Sequence, residues 1–207
     1  MNITQGSSVL TVTRASDRTR TPRRLLRLVR LAFLLAMMLT ASGAQAALDM
    51  FLEAGDNIKG ETKDKEFAPK NGIDVLAWSW GMSQSGTTHT GGGGSAGKAN
   101  FQDLSLTKYI DTATTALMGS LATGSHIPEV KLTVRRAGQG QGGQTHYLEI
   151  TMKNVIVTSL STGGSGGEDR LTENISLNFE EVKVEYFSPD GKSAGIFRFN
   201  IAQNKVP

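Results

Sequence analysis

Apolar and polar residues alternate in short runs along the chain after residue 46. In one run, Val130, Leu132 and Val134 alternate with polar side chains. A period of two places alternate side chains on the same face of a strand. The other candidate strands are 48–53, 73–80, 101–110, 148–152, 155–160, 171–179, 182–186 and 196–201. The pattern predicts an antiparallel β domain of eight or nine strands, arranged as a closed barrel or a sandwich.

One stretch follows the helical period instead. Apolar residues recur at i, i+3, i+4 and i+8 from Ala113, after a possible N-cap at Asp111 or Thr112. Gly124 is a natural end for this helix, because glycine tolerates the left-handed conformation found at helix C-termini. We therefore predict one helix beside the strands.

Glycine is concentrated in three stretches, 81–97, 138–143 and 163–167, each of which lies between candidate strands. We interpret all three as turns or loops. The first is long and has no apolar pattern of its own. Loops of this kind in compact domains are usually functional or disordered.

The first 46 residues have the pattern of a signal peptide. Four arginines (Arg23, Arg24, Arg27 and Arg30) precede an apolar run over 31–39, and small residues follow up to Ala46. The run is about half the length of ~20 residues that a transmembrane helix needs. We predict a leader over 1–46, a folded domain over 47–207 and cleavage between Ala46 and Ala47. The alternatives are a buried amphipathic helix and a wrongly assigned start.

Charge is divided between the two parts of the chain. Seven arginines and one acidic residue lie in residues 1–46, which leaves 15 basic and 18 acidic side chains in the rest, a formal charge of −3. The basic pI of about 9.2 therefore does not indicate nucleic-acid binding by the domain. The chain has no cysteine, which excludes disulfides, thiolate catalysis and cysteine-ligated zinc.

Several short motifs resemble catalytic or nucleotide-binding patterns, and we reject each. Residues 92–99 nearly form a phosphate-binding loop, but position 99 is alanine and a strand follows where a helix is needed. Residues 138–143 contain G-x-G-x-x-G between two strands, which a hairpin turn explains better. Ser95 and Ser165 each sit in G-x-S-x-G, but no strand–turn–helix follows Ser95 and no histidine follows Ser165.

The histidines and tryptophans also lack a pattern specific for a site. His89, His126 and His146 have no metal-ligand spacing, so we interpret them as surface or loop residues. Trp78 and Trp80 share one strand face, and we predict that they pack in the core or at an interface. We therefore predict no enzyme activity, no cofactor and no metal, with an enzyme that uses Ser95 as the least favoured alternative.

Three segments of the domain are long and distinctive: 74–89 (DVLAWSWGMSQSGTTH), 100–111 (NFQDLSLTKYID) and 161–174 (STGGSGGEDRLTEN). Together with the start DMFL at 49–52, they resemble the hemolysin-coregulated protein (Hcp) family. The resemblance covers essentially 47–207 in order. It implies a two-sheet β-barrel with one flanking helix that assembles as a hexameric ring.

The same resemblance implies a function in type VI secretion. Rings of the family stack into an inner tube, which a contractile sheath surrounds and a VgrG-type spike caps, and effector proteins can travel in the lumen. The chain would then be secreted. The glycine-rich loop is similar to the family's extended loop, which reaches a neighbouring ring. The residues implied in this ring-stacking loop are Met82, Ser83, Gln84, Ser85, Gly86, Thr87, Thr88 and His89.

The leader departs from the family, whose subunits assemble in the cytoplasm and leave through their own apparatus. Two interpretations follow. The main one is a tube subunit that stays in the cytoplasm until it is ejected. The alternative is an exported, Hcp-like ring or binding protein, periplasmic or extracellular, that takes no part in injection.

Overall fold

The computed structural model describes residues 48–87, 95–137 and 144–207. In these residues the helix α1 spans Ala113–Thr123 and a short 3₁₀ turn covers Ala68–Lys70. The strands are β1 (Asp49–Glu53), β2 (Ile73–Ser79), β3 (Met82–Thr87), β4 (Ser95–Phe101), β5 (Leu104–Tyr109), β6 (Ile127–Ala137), β7 (Gln144–Gly163), β8 (Thr172–Asn178), β9 (Glu181–Phe187) and β10 (Ser193–Asn200). The leader over 1–46 and the glycine stretch 138–143 lie outside the described residues.

Six strands close into a barrel in the order β7–β6–β1–β2–β5–β8, and β8 pairs again with β7. All of these pairs are antiparallel. Closure is possible because β7 is 20 residues long: its first half lies between β6 and β9, and its second half pairs with β8. Strands β9 and β10 extend the sheet beyond β7. The predicted barrel of two sheets with one helix is confirmed.

The two strands predicted over 148–152 and 155–160 are a single strand. Asn154 has a φ of 52°, a left-handed conformation that asparagine tolerates better than most residues. This residue shifts the alternation, so that Met152 and Val155 are both buried although they are three positions apart. The sequence therefore suggested a break where the strand passes from one sheet to the other.

The barrel interior is filled by the inward-pointing residues of its strands. Leu104 and Leu106 of β5 meet Ile175 and Leu177 of β8, and all four are at most 2 % exposed. Helix α1 adds Leu117 to this core. The helix begins after Thr112 and ends at Gly124, which has a φ of 64°, as predicted.

A strap over residues 55–72 connects β1 to β2. Ile58 and Phe67 anchor it in the interior. One side of the strap contacts the start of α1, where the Thr112 hydroxyl donates a hydrogen bond to the Lys59 carbonyl at 2.7 Å. Its other side reaches β6 and β7 through the ion pairs described below.

The structure differs from the prediction between residues 81 and 104. The loop predicted over 81–97 contains two strands, because β3 and β4 pair with each other as a separate antiparallel ribbon. The strand predicted over 101–110 is also two elements, since Phe101 ends β4 and Leu104 begins β5. The described residues therefore contain ten strands rather than eight or nine.

Candidate assembly surface

The ribbon formed by β3 and β4 is fixed to the barrel at its base. Trp80 and Phe101 stack with their ring centres 6.2 Å apart. The ring centre of Trp80 also lies 6.1 Å from that of Phe179. Phe101 stacks on Phe199 of β10 at 5.0 Å. The indole N–H of Trp80 donates to the carbonyl oxygen of Gln102 at 3.0 Å. The base of the ribbon is therefore packed on the barrel through aromatic contacts.

Beyond the base of the ribbon, the described side chains of β3 have little packing. Met82, Ser83, Gln84, Ser85 and Gly86 are all exposed, Met82 to 53 %. Of the residues described, β3 and β4 pair with each other and with no barrel strand. Thr87 ends β3, and Thr88 and His89 lie outside the described residues. The predicted stacking loop is thus, as far as the structure describes it, one strand of a ribbon with both faces open.

The two tryptophans pack as predicted. Trp78 and Trp80 are half-buried and lie against the core cluster. Trp78 is opposite Leu106 of β5, whereas Trp80 lies beyond the end of β2 and supports the ribbon base. Neither forms an exposed binding platform.

A buried ionic cluster at the start of α1 was missed by the sequence analysis. Lys108 and Glu173 are direct cross-strand partners on β5 and β8, both are 0 % exposed, and their charged atoms lie 2.8 Å apart. The Lys108 ammonium also contacts Asp111 Oδ1 at 2.6 Å. The Thr114 hydroxyl donates to Glu173 Oε1 at 2.9 Å. The cluster therefore joins two barrel strands to the first turn of the helix.

One signal for this cluster was present in the sequence. Lys108 follows Leu104 and Leu106 at intervals of two, and Glu173 precedes Ile175 and Leu177 in the same way. The alternation thus places both charges on the inward face of their strands. Such a position is rare for a charged residue unless it has a partner.

A second ionic cluster holds the strap against the barrel. The Arg135 guanidinium lies over the rings of Phe51 and Phe67, 4.7 and 5.1 Å from their centres. It forms ion pairs with Asp64 and Glu66 of the strap. Burial raises the pKa of Asp64, but the hydrogen bonds from Arg135 and from backbone N–H groups outweigh it and hold that pKa below its ordinary value.

His146 was predicted to be a surface or loop residue, but it lies in β7, is partly buried and belongs to this cluster. Its Nδ1 lies 2.6 Å from Glu149 and its Nε2 lies 3.2 Å from Glu66. Burial raises the pKa of Glu66, yet the charges of His146 and Lys70 and their hydrogen bonds bring it below its ordinary value. The charged side chains of this cluster therefore bind one another and hold the strap against the barrel.

The remaining candidate residues are not brought together as a catalytic site. His126 is exposed and its Nδ1 lies 2.7 Å from Asn154 Oδ1. Ser165 lies in an exposed turn and its hydroxyl donates to Glu168 at 3.3 Å. Residues 95–101 form a strand, so no helix follows Ser95, and His89 lies outside the described residues. Over 48–87, 95–137 and 144–207, no His, Asp and Glu side chains cluster as metal ligands do.

No helix within the described part of the chain is both long enough and apolar enough to span a membrane.

Comparison with known proteins assigns the family. The family model described as "Type VI secretion system effector, Hcp" matches residues 51–186. Protein hcp1 of Pseudomonas aeruginosa is 58 % identical over 163 residues, which cover 76 % of this chain and 98 % of that protein.

Two solved structures agree with this match. Hcp1 of Salmonella typhimurium is 34 % identical, with a TM-score of 0.63 over 78 % of this chain and 99 % of that chain. A type VI secretion system effector of Yersinia pestis is 30 % identical, with a TM-score of 0.59 over 73 % of this chain and 99 % of that chain. The barrel, the helix and the sequence match lead to one conclusion: the chain belongs to the Hcp family of type VI secretion proteins.

Proposed function

We propose that this chain is a ring-forming subunit of the type VI secretion tube, that six copies form the ring, and that rings stack through the ribbon of β3 and β4. The observation that carries the stacking proposal is that the ribbon is anchored at its base yet exposed and unpaired along its described edges. Membership of the Hcp family supports the tube itself.

The physical argument begins with the ribbon. An isolated two-stranded hairpin is marginally stable in water, so a ribbon that is not packed on its own barrel gains stability when another molecule covers it. A subunit with two kinds of head-to-tail contact builds a tube, because one contact closes a ring and the other extends along an axis. The closed barrel and the ribbon are separate elements that can serve these two contacts.

We further propose the partners that this role requires. They are other copies of the chain, the contractile sheath, a VgrG-type spike and effector proteins carried in the lumen. The final location is extracellular after ejection. No catalytic residue is proposed, since the charged clusters within the described residues are structural and Ser165 has only a glutamate partner.

The test separates ring closure from stacking. Residues 83–100 are replaced by a short Asn-Gly turn, which removes both strands of the ribbon and keeps Met82 and Phe101 at its base. Native mass spectrometry should still show hexamers, whereas electron microscopy should show single rings instead of stacks, and secretion should fall. The matched control shortens the exposed turn 165–170, which lies outside the ribbon and should leave stacking unchanged.

Two results would contradict the proposal. A purified wild-type chain that is monomeric at tens of micromolar, with native-like β content, would remove the ring. Normal stacks after loss of the ribbon would remove its proposed role.

The leader is a separate proposal. We propose that residues 1–46, where they are translated, act as an export signal cut between Ala46 and Ala47. What supports it is the order of arginines, apolar run and small residues. N-terminal sequencing of the protein from cells tests it. A chain that begins at Ala47 supports cleavage, whereas a chain that keeps the leader or begins at any other residue contradicts it.

A further inference from the structure

Strand β10 forms an edge of the extended sheet. It pairs with β9 on one side, and in the described residues only Lys205 pairs with it on the other, through a single bridge at Asn200. Both bonds of that bridge are made, from Asn200 N–H to the Lys205 carbonyl at 2.9 Å and from Lys205 N–H to the Asn200 carbonyl at 3.2 Å. The outer edge of β10 therefore already accepts main-chain pairing at one end.

The bridge also shows which backbone groups face outward. In an antiparallel strand the N–H and C=O of one residue point to the same side, and successive residues alternate. Because Asn200 bonds outward, Arg198 and Ile196 direct their backbone groups outward as well, and Phe199 and Phe197 direct theirs to β9. Ile196 is 53 % exposed and Arg198 is also exposed. An edge of this kind is a template for another strand.

The ribbon presents the complementary edge. Gln102 N–H donates to the Gly81 carbonyl at 3.0 Å, so by the same alternation Met82 and Gln84 of β3 direct their backbone groups away from β4. Strand β3 has no charged residue, whereas β4 carries Lys98, and a charge on an edge strand disfavours pairing. Strand β3 has six residues against eight in β10, so the two lengths match.

We propose that the outer edge of β10 in one ring accepts β3 of a subunit in the neighbouring ring, as an added strand held by main-chain hydrogen bonds. This inference rests on the proposed stacking function and names the surface that the ribbon binds. Strand addition suits a polar ribbon, because affinity comes from backbone groups and not from apolar side chains. The contact is head-to-tail and so can repeat along a tube.

Proline substitutions test the pairing with a matched set. Proline is tolerated on edge strands where the replaced N–H points away from the sheet, but it cannot donate to an added strand. Arg198→Pro and Gln84→Pro each remove one outward N–H from a proposed partner. Arg198→Ala removes the side chain and keeps the N–H, and Ala99→Pro alters only the outer edge of β4.

The expected result is loss of stacking with retention of hexameric rings in Arg198→Pro and Gln84→Pro. Arg198→Ala and Ala99→Pro should stack as the wild type does, by electron microscopy at equal protein concentration. Stacks that persist in Arg198→Pro or Gln84→Pro while the wild type stacks would overturn the inference and leave the proposed function in place. A wild type that forms no stacks would overturn both.

Cysteine cross-linking keeps the inference testable if a proline variant fails to fold. The chain has no cysteine, so single cysteines report only on contacts between copies. Gln84→Cys is mixed with Ile196→Cys or Arg198→Cys and oxidised, and Ala99→Cys replaces Gln84→Cys in the control. Disulfide-linked dimers in the mixtures with Gln84→Cys, and none in the mixtures with Ala99→Cys, support the pairing. Equal amounts of dimer in the two kinds of mixture, or no dimer in either, would refute it.

Discussion

Removing the charge of Lys108 tests the buried cluster most directly. Lys108→Met keeps the length and apolar character of the side chain but leaves the carboxylate of Glu173 buried without its cation. Both side chains are fully buried and their charged atoms are 2.8 Å apart. Removing one partner of a buried ion pair costs about 3–5 kcal/mol, since the remaining charge is uncompensated.

The magnitude can be measured by urea unfolding. At a slope of about 2 kcal/mol per molar urea, the loss moves the midpoint down by about 1.5–2.5 M. Fluorescence of the two tryptophans and far-ultraviolet circular dichroism should give the same midpoint at one fixed protein concentration. Lys192→Met is the control, because Lys192 is 83 % exposed in its pair with Asp190 and exposed pairs contribute little.

A double variant separates the charge from the packing. Lys108→Met with Glu173→Met removes both buried charges, and such a replacement is often neutral or stabilising. The double variant should therefore be more stable than Lys108→Met alone. The reasoning fails if Lys108→Met lowers the urea midpoint by less than about 0.5 M at an unchanged slope. It also fails if the destabilisations measured for Lys108→Met alone and Glu173→Met alone simply add in the double variant.

Three further predictions concern other parts of the chain. Because the pKa of Asp64 is lowered in the folded protein, its contribution to stability is complete above the unfolded pKa of about 4 and is lost as the pH falls through the folded pKa. Melting temperatures measured from pH 7 to 2.5 should therefore fall with acid, and Asp64→Asn should reduce that fall. Gly60→Ala should lower the urea midpoint, because the added Cβ would lie 2.2 Å from the Gly72 carbonyl oxygen in the strap. Gly119→Ala in α1 should raise the urea midpoint, because its Cβ meets nothing within 4 Å and alanine stabilises a helix by about 0.5–1 kcal/mol relative to glycine. Replacing Ala46 by a bulky residue should leave an uncleaved precursor at the inner membrane, and a soluble product of normal size in a fractionation experiment would contradict the leader.

The barrel could be predicted from the sequence because closure buries one face of each strand. Leu104 and Leu106 alternate with polar residues, and the same is true of Ile175 and Leu177, so burial and sequence have the same period. The helix was predictable for a similar reason, and Gly124 marked its end. The continuous β7 was not, because Asn154 changes the phase of the alternation without ending the strand.

The ribbon could not be predicted, since neither of its described faces is buried. Ser83, Gln84 and Ser85 carry no apolar period, and β3 is held by backbone bonds to β4. The strap cluster was missed for another reason. Arg135 and Glu66 are 69 positions apart, so their proximity depends on a fold that sequence spacing does not reveal.

The arrangement of charge in this subunit separates stability from assembly. The described ionic clusters join elements within one subunit, Lys108 to the helix and Arg135 to the strap, so they are already compensated before any ring forms. The exposed residues of β3 are uncharged, so removing them from water costs little free energy, provided that their hydrogen bonds are replaced. Closure of the barrel pairs β1, β2, β5, β6 and β8 on both sides. Among the described residues, the outer edge of β10 is paired only at Asn200 and the outer edges of the ribbon are unpaired. Contacts between copies made by backbone pairing therefore fall on these edges, where a single residue without an N–H is enough to test them.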